Sequence, residues 1–256
     1  MRFILYNIRY GTGSGAGFHL PFPGSGYLRN TRRNIERIAG FIGEYAPDVV
    51  GLLEVDTGSY RIGRKNNQAQ LLAEALGHNA THQIKYGIDS FNTYMPVLNK
   101  QGNAFLTSRS VTATRFHYFD AGIKRLIIEL ELEQVSIFLV HLSLKFRHRH
   151  YQLRHLHELI KNTGKPVILA GDFNTLWGDY EIDLFRDATG LVSANIDGAP
   201  SYPSWRPKRQ LDFILHSPSL RVNNFEVPQV RYSDHLPLIC DFETGAEMPQ
   251  AKAIGE

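Results

Sequence analysis

The chain has 256 residues and one cysteine, Cys240. A single thiol excludes a disulfide within the chain and a cysteine zinc cluster. Long apolar runs are also missing, since none approaches the ~18 residues that a membrane-spanning helix needs. The opening segment, MRFILYNIRY, has too short an apolar stretch for a secretory signal and lacks a small-residue cleavage site. These absences predict a soluble, cytoplasmic protein. Neither sign of charge dominates: 28 Lys and Arg face 25 Asp and Glu, for a formal net charge of +3. That balance suits a phosphate-bearing substrate without requiring one. No composition break or fixed-period repeat divides the chain. With 43% hydrophobic and 21% charged residues it has neither a disordered nor a coiled-coil composition.

Short apolar runs predict buried strands at Phe3–Ile8, Val49–Leu53, Ala104–Thr107, Leu126–Leu132, Ser136–Leu142, Pro166–Ala170, Leu211–His216 and Leu236–Phe242. Several are apolar on both faces, as in sheets covered on both sides. Helical spacing runs from Thr31 to Tyr45, with Asn30 or Thr31 as a cap and Pro47 beyond the end. Asn67–Leu76 and Arg147–Lys161 are further helices. Strands mixed with helices predict a layered α/β or α+β domain over residues 1–242, followed by a polar tail over 243–256. Two stretches, Gly11–Arg29 and Tyr86–Gly102, are too long for ordinary turns. The first is glycine-rich but lacks the closing Gly-Lys-Ser/Thr of a P-loop.

Polar residues interrupt the apolar runs at their ends. Asn7 follows Phe3–Tyr6, Glu54 follows Val49–Leu53, His141 follows Phe138–Val140, and Asp172 and Asn174 follow Val167–Ala170. Asp212 lies inside Leu211–Leu215, and Asp234 and His235 precede Leu236–Ile239. Such groups cost several kcal/mol to bury unless paired or metal-bound, so together they suggest strand ends converging on one polar site. Carboxylates and carboxamides without cysteine suit a hard cation, Mg²⁺ or Mn²⁺. Histidines beside carboxylates suit an anionic phosphoryl group. A serine nucleophile elbow and an HExxH zinc helix are both absent from the sequence. Metal-assisted hydrolysis of a phosphate ester is the leading chemical class.

Seven segments, in this order, carry a resemblance: Tyr6-Asn7, PDVVGLLEVD at 47–56, GNAFLTS at 102–108, HLSL at 141–144, AGDFNT at 170–175, LDFIL at 211–215 and SDHLPL at 233–238. The sequence resembles the endonuclease/exonuclease/phosphatase superfamily over nearly its whole length. That resemblance implies a four-layer α/β/β/α sandwich, two mixed β-sheets flanked by helices, with the site at one edge of both sheets. It implies Glu54 as principal metal ligand, with Asn7 and Asp234 on the metal side. Asp172 would orient or activate water, with Asn174 contacting the phosphate. His235 would face the phosphate with its tautomer set by Asp212, and His141 would be the second phosphate-facing histidine and a leaving-group acid. The sequence departs from many relatives at Leu53, where they carry glutamine, and at Arg9, where some AP endonucleases carry an acidic residue. The His141-Leu142 pair is closer to the deoxyribonuclease, sphingomyelinase and phosphatase branches.

The resulting expectation is a Mg²⁺-dependent phosphodiesterase acting on nucleic acid or phospholipid. Its rivals are a phosphomonoesterase for sugar or inositol phosphates and a catalytically silent binding module of the same fold. Three other features admit a bland and a functional reading. His150, Arg154 and His157 are a solvated helix face or a patch for a polyanion. Arg206, Lys208 and Arg209, with Trp205, are a surface turn or a contact for a base or lipid head group. Phe18, Leu20 and Phe22 are a packed satellite cluster, a mobile lid or an interfacial anchor.

Overall fold

The computed structural model describes residues 1–14, 31–58, 67–84, 101–122 and 124–243. The aromatic centre of the glycine-rich stretch, most of 86–102 and the tail from 244 lie outside these residues. One sheet contains β1 (Arg2–Asn7), β2 (Val49–Asp56), β3 (Asn79–Ile84), β4 (Gln101–Thr107), β11 (Arg221–Glu226) and β12 (Leu238–Glu243). The other contains β5 (Ala113–Tyr118), β6 (Leu126–Glu131), β7 (Ser136–His141), β8 (Val167–Asp172), β9 (Val192–Ser193) and β10 (Asp212–His216). Their orders are β11-β12-β1-β2-β4-β3 and β5-β6-β7-β8-β10-β9, with parallel pairs β1–β2 and β7–β8 among antiparallel neighbours. The helices are α1 (Arg32–Glu44), α2 (Gln68–Leu76), α3 (Phe146–Lys161) and α4 (Tyr180–Thr189).

Side-chain alternation builds the four layers. Successive residues of a strand face opposite sides of its sheet. Phe3 and Leu5 of β1 join Ile137 and Leu139 of β7 and Ile168 and Ala170 of β8 in the core between the sheets. Ile4 and Tyr6 face outward onto Ile35, Ile38 and Ile42 of α1 and Leu72 of α2. Phe138, Val140 and Leu169 face the opposite way, onto Leu153 and Leu156 of α3 and Ile182 and Phe185 of α4. The predicted sandwich is therefore the observed one. Asn67 caps α2 by accepting the Ala69 N–H, whereas Thr31 precedes α1 without a side-chain cap and its hydroxyl accepts from Gln68 Nε2 at 3.2 Å.

Candidate active site

The same alternation places the polar strand ends. Asn7 continues the inward parity of Phe3 and Leu5, His141 that of Ile137 and Leu139, and Asp172 that of Ile168 and Ala170. Asp212 shares the parity of Ile214. Registers make three of them direct neighbours: His141 lies opposite Asp172 across β7–β8, and Asp172 opposite Asp212 across β8–β10. Opposed residues bring their Cβ atoms within about 5 Å. These polar ends therefore meet at the seam between the sheets.

Glu54 reaches the seam by another route. Val50 and Leu52 face the helices, so regular alternation would send Glu54 there too. The β2–β4 register instead shifts between Leu52 and Val55, and Glu54 adopts φ 55°. An added residue bends the strand and re-aims the side chain. The Glu54 N–H is received by Asn103 Oδ1 at 3.4 Å, and Val55 resumes contact with the helix layer. Asn174, at φ 54°, turns the chain out of β8: its N–H donates to Asp172 Oδ1 at 3.0 Å and its Nδ2 to the Leu142 carbonyl at 2.8 Å.

The hydrogen bonds run as a chain. Asp172 is 2% exposed. Its Oδ2 accepts from Asn7 Nδ2 at 3.2 Å and lies 3.1 Å from His141 Nε2 and 3.8 Å from His235 Nε2. His235 Nδ1 donates to Asp212 Oδ2 at 2.8 Å, and Ser201 Oγ donates to the same oxygen at 2.6 Å. His141 Nδ1 and Lys124 Nζ each lie 3.9 Å from Glu54 Oε1, and Lys124 also contacts His141 Nε2. Arg9 pairs with Asp234 at 3.2 Å, and the Tyr202 ring packs 4.9 Å from the His235 ring. Asn7, Glu54, Asp172, Asn174, Asp234 and His235 all line one cleft of about 240 Å³. His141 and Asp212 stand directly behind it through these contacts.

The charges are mutually set. Burial alone would raise the Asp172 carboxyl, but His141, His235 and Lys124 outweigh it and hold the group well below the ordinary carboxylate range. Burial would lower His235, yet Asp212, Asp172 and Asp234 push it up to about 10. Burial raises Asp212 against the opposing pull of His235. Asp172 is thus a carboxylate that accepts hydrogen bonds, and His235 a cation whose Nε2 can donate into the cleft.

Three donors able to hold a metal, on Asp172, Asp212 and His235, lie within 4.8 Å of one another. Two of these, Asp212 and His235, already bond each other, so that trio is better suited to holding a proton than a cation. Asp212 Oδ1, buried and without a hydrogen-bond partner, remains as an acceptor behind them. Glu54, Asp172, Asp234 and the Asn7 amide supply only hard oxygen donors around the cleft. That chemistry fits a hard divalent ion.

Sequence reading missed three residues here. Lys124 comes from the turn before β6, Ser201 orders Asp212, and Tyr202 covers His235. Tyr202 also explains the PSWRPKRQ segment, which returns to pair Tyr202 with Arg209 and leaves Arg206, Lys208 and Arg209 exposed to solvent. His150 and Arg154 likewise point into solvent on α3.

Comparison with known proteins agrees with this fold. A UPF0294 protein of Yersinia enterocolitica is 34% identical over 110 residues, 43% of this chain and 42% of that protein. The match therefore spans about two fifths of that curated relative's length. A Beutenbergia cavernae endonuclease/exonuclease/phosphatase structure superposes with a TM-score of 0.71 at 20% identity, over 96% of this chain and 72% of that one. A mannosyl-6-phosphatase from Bacteroides thetaiotaomicron gives 0.69 at 18%, over 95% and 99%. The human nocturnin catalytic domain, with a bound sulfate, gives 0.64 at 21%, over 95% and 93%. At these identities the structures speak for the fold alone. The Endonuclease/Exonuclease/phosphatase family itself, whose members are phosphoester hydrolases, matches residues 4–235, and the chain belongs to that family.

Proposed function

We propose that the protein is a divalent-metal-dependent phosphodiesterase. One observation carries the reading: two imidazoles, His141 and His235, converge on the buried Asp172 carboxylate at the seam of the two sheets. A hard cation, Mg²⁺ or Mn²⁺, held by Glu54 with Asn7 and Asp234, would neutralise phosphate charge. The chain's own groups do the rest. Asp172, ionised at the outset, takes the proton of the attacking water as the water oxygen bonds to phosphorus, while Asn174 fixes the carboxylate's orientation. His235 is locked by Asp212 with Nδ1 occupied, so Nε2 donates to a non-bridging phosphate oxygen, where negative charge grows in the transition state. His141, behind the cleft, passes a proton through Lys124, which contacts its Nε2 and lines the cleft, to the departing ester oxygen as its bond to phosphorus breaks.

A phosphomonoesterase is the second reading. Arg9 and Lys124 add two cations to the same cleft, which suits a phosphate carrying two charges. Turnover of bis(p-nitrophenyl) phosphate and p-nitrophenyl phosphate, with Mg²⁺, with Mn²⁺ and with chelator, separates the two. The diester should turn over, require metal, and lose at least about a hundredfold in rate in Asp172→Asn. A preference for the monoester selects the second reading. Metal-independent turnover of either, or full activity in Asp172→Asn, refutes the assignment.

A further inference from the structure

Large apolar side chains stand exposed beside the cleft mouth, and the phosphate chemistry does not use them. Trp177 is 80% exposed, Tyr180 75% and Phe146 63%. Two segments carry them, the turn from β7 into α3 and the loop from β8 into α4. The buried Arg149, on α3, clamps these segments together by pairing with Glu181 of α4 and bonding the Ser143 and Leu144 carbonyls. Both segments reach the cleft, because Leu144 and Leu176 line it. Apolar side chains thus follow along both segments from the cleft wall outward. Single exposed apolar residues are ordinary, but a cluster beside a site marks an interaction surface.

The surrounding charge indicates its partner. Lys145 and Arg147, both exposed, flank Phe146, and His148 and His150 follow on α3. Glu181 is committed to Arg149, and Asp183, nearly a turn along α4 from Tyr180, is paired with Arg186. Asp179, before Tyr180, is the remaining nearby carboxylate. Trp and Tyr favour head-group depth, Phe and Leu favour the acyl boundary, and Lys and Arg favour anionic lipid. A platform for single-stranded nucleic acid would instead line a basic groove with aromatics. Here the aromatics are mixed with leucines at two helix starts, with basic residues concentrated on the α3 side.

We propose that this surface docks on an anionic bilayer and holds the cleft over phosphate esters in lipid head groups. The choice of substrate rests on the phosphoesterase reading; the docking does not. The chain has two tryptophans, Trp177 and Trp205, so Trp205→Phe leaves Trp177 as sole reporter. Mixed with phosphatidylcholine/phosphatidylglycerol vesicles at low salt, it should show a blue shift, quenching by brominated lipid, and co-sedimentation that salt weakens. Lys145→Ala/Arg147→Ala should weaken vesicle affinity about thirtyfold, roughly fivefold per basic residue. Phe146→Ser/Trp177→Ser/Tyr180→Ser should abolish sedimentation while leaving bis(p-nitrophenyl) phosphate turnover within about twofold, since these residues lie outside the reacting cleft. Intact vesicle binding without turnover of any ester would sink the enzymatic reading and leave the docking surface standing. Three results overturn the docking: no sedimentation with these vesicles, a Trp177 shift with single-stranded oligonucleotide and not vesicles, or a concentration-dependent shift without lipid, which marks a second copy as the partner.

Discussion

Among the described residues Arg149 is the largest buried side chain, 2% exposed, and it offers a quantitative test of how the cleft wall is held. Its Nε and Nη2 meet Glu181 Oε1 at 2.7 and 2.5 Å, and Nη1 donates to the Ser143 and Leu144 carbonyls at 3.1 and 2.6 Å. Replacing it with Met keeps most of the volume and removes the charge. Glu181, with a side chain 10% exposed, is then left as a buried carboxylate without its cation, which costs about 3–5 kcal/mol. The Leu144 carbonyl belongs to an exposed residue and can recruit water, so it adds little. The expected loss is therefore about 4 kcal/mol, or about 8–16 °C in Tm for a domain of this size. Arg149→Met/Glu181→Met should lose less than the sum of the two single variants' losses, by a coupling of at least about 2 kcal/mol. Urea unfolding followed by circular dichroism measures all four proteins, provided m is unchanged. If Arg149→Met stays within about 0.5 kcal/mol of the parent, or the two losses simply add, the clamp does not hold the wall as argued.

Two further outcomes follow from other positions. A Cβ at Gly171 would collide with the Val140 carbonyl across the parallel β7–β8 pair, so Gly171→Ala should cost about 1–3 kcal/mol and lower turnover by displacing Asp172 from His141; unchanged unfolding and activity would contradict that register. The Arg2 hydrogen bonds, outweighing burial, hold Asp241 below its ordinary value; this stability is present above the unfolded carboxylate pKa near 3.9 and is lost as pH falls through the lower folded value. The Tm gap between parent and Asp241→Asn should thus be widest near pH 7 and close toward pH 3, and a constant gap would refute the linkage.

What the sequence revealed followed burial. The strands of both sheet interiors were legible as apolar runs, and their polar ends located the cleft. The overlooked strands, β3, β5, β9 and β11, are the four sheet edges. Edge strands have one unpaired side and tolerate charge, so RVNNFE and ATRFHY carry no apolar run. Helix α4 escaped because only Ile182 and Phe185 are buried. At the site, Asn7, His141, Asp172 and Asp212 obey simple alternation. The bulge that aims Glu54 has no sequence signature, and Lys124 is one lysine before a strand, like many on a surface.

Glu54 and Asn174 both hold their backbones in the left-handed region. A side chain there costs roughly 1–2 kcal/mol, a penalty glycine escapes and asparagine partly relieves. Among the described residues five non-glycine positions carry such a backbone, and three of them, Arg9, Glu54 and Asn174, line the cleft, so much of this cost falls there. A selection for heat resistance alone, blind to any substrate, should enrich glycine at 54 and 174 and return stable, inert proteins. Glycine at the exposed Ala46, which is also left-handed and lies away from the cleft, should appear among the same survivors without changing the site.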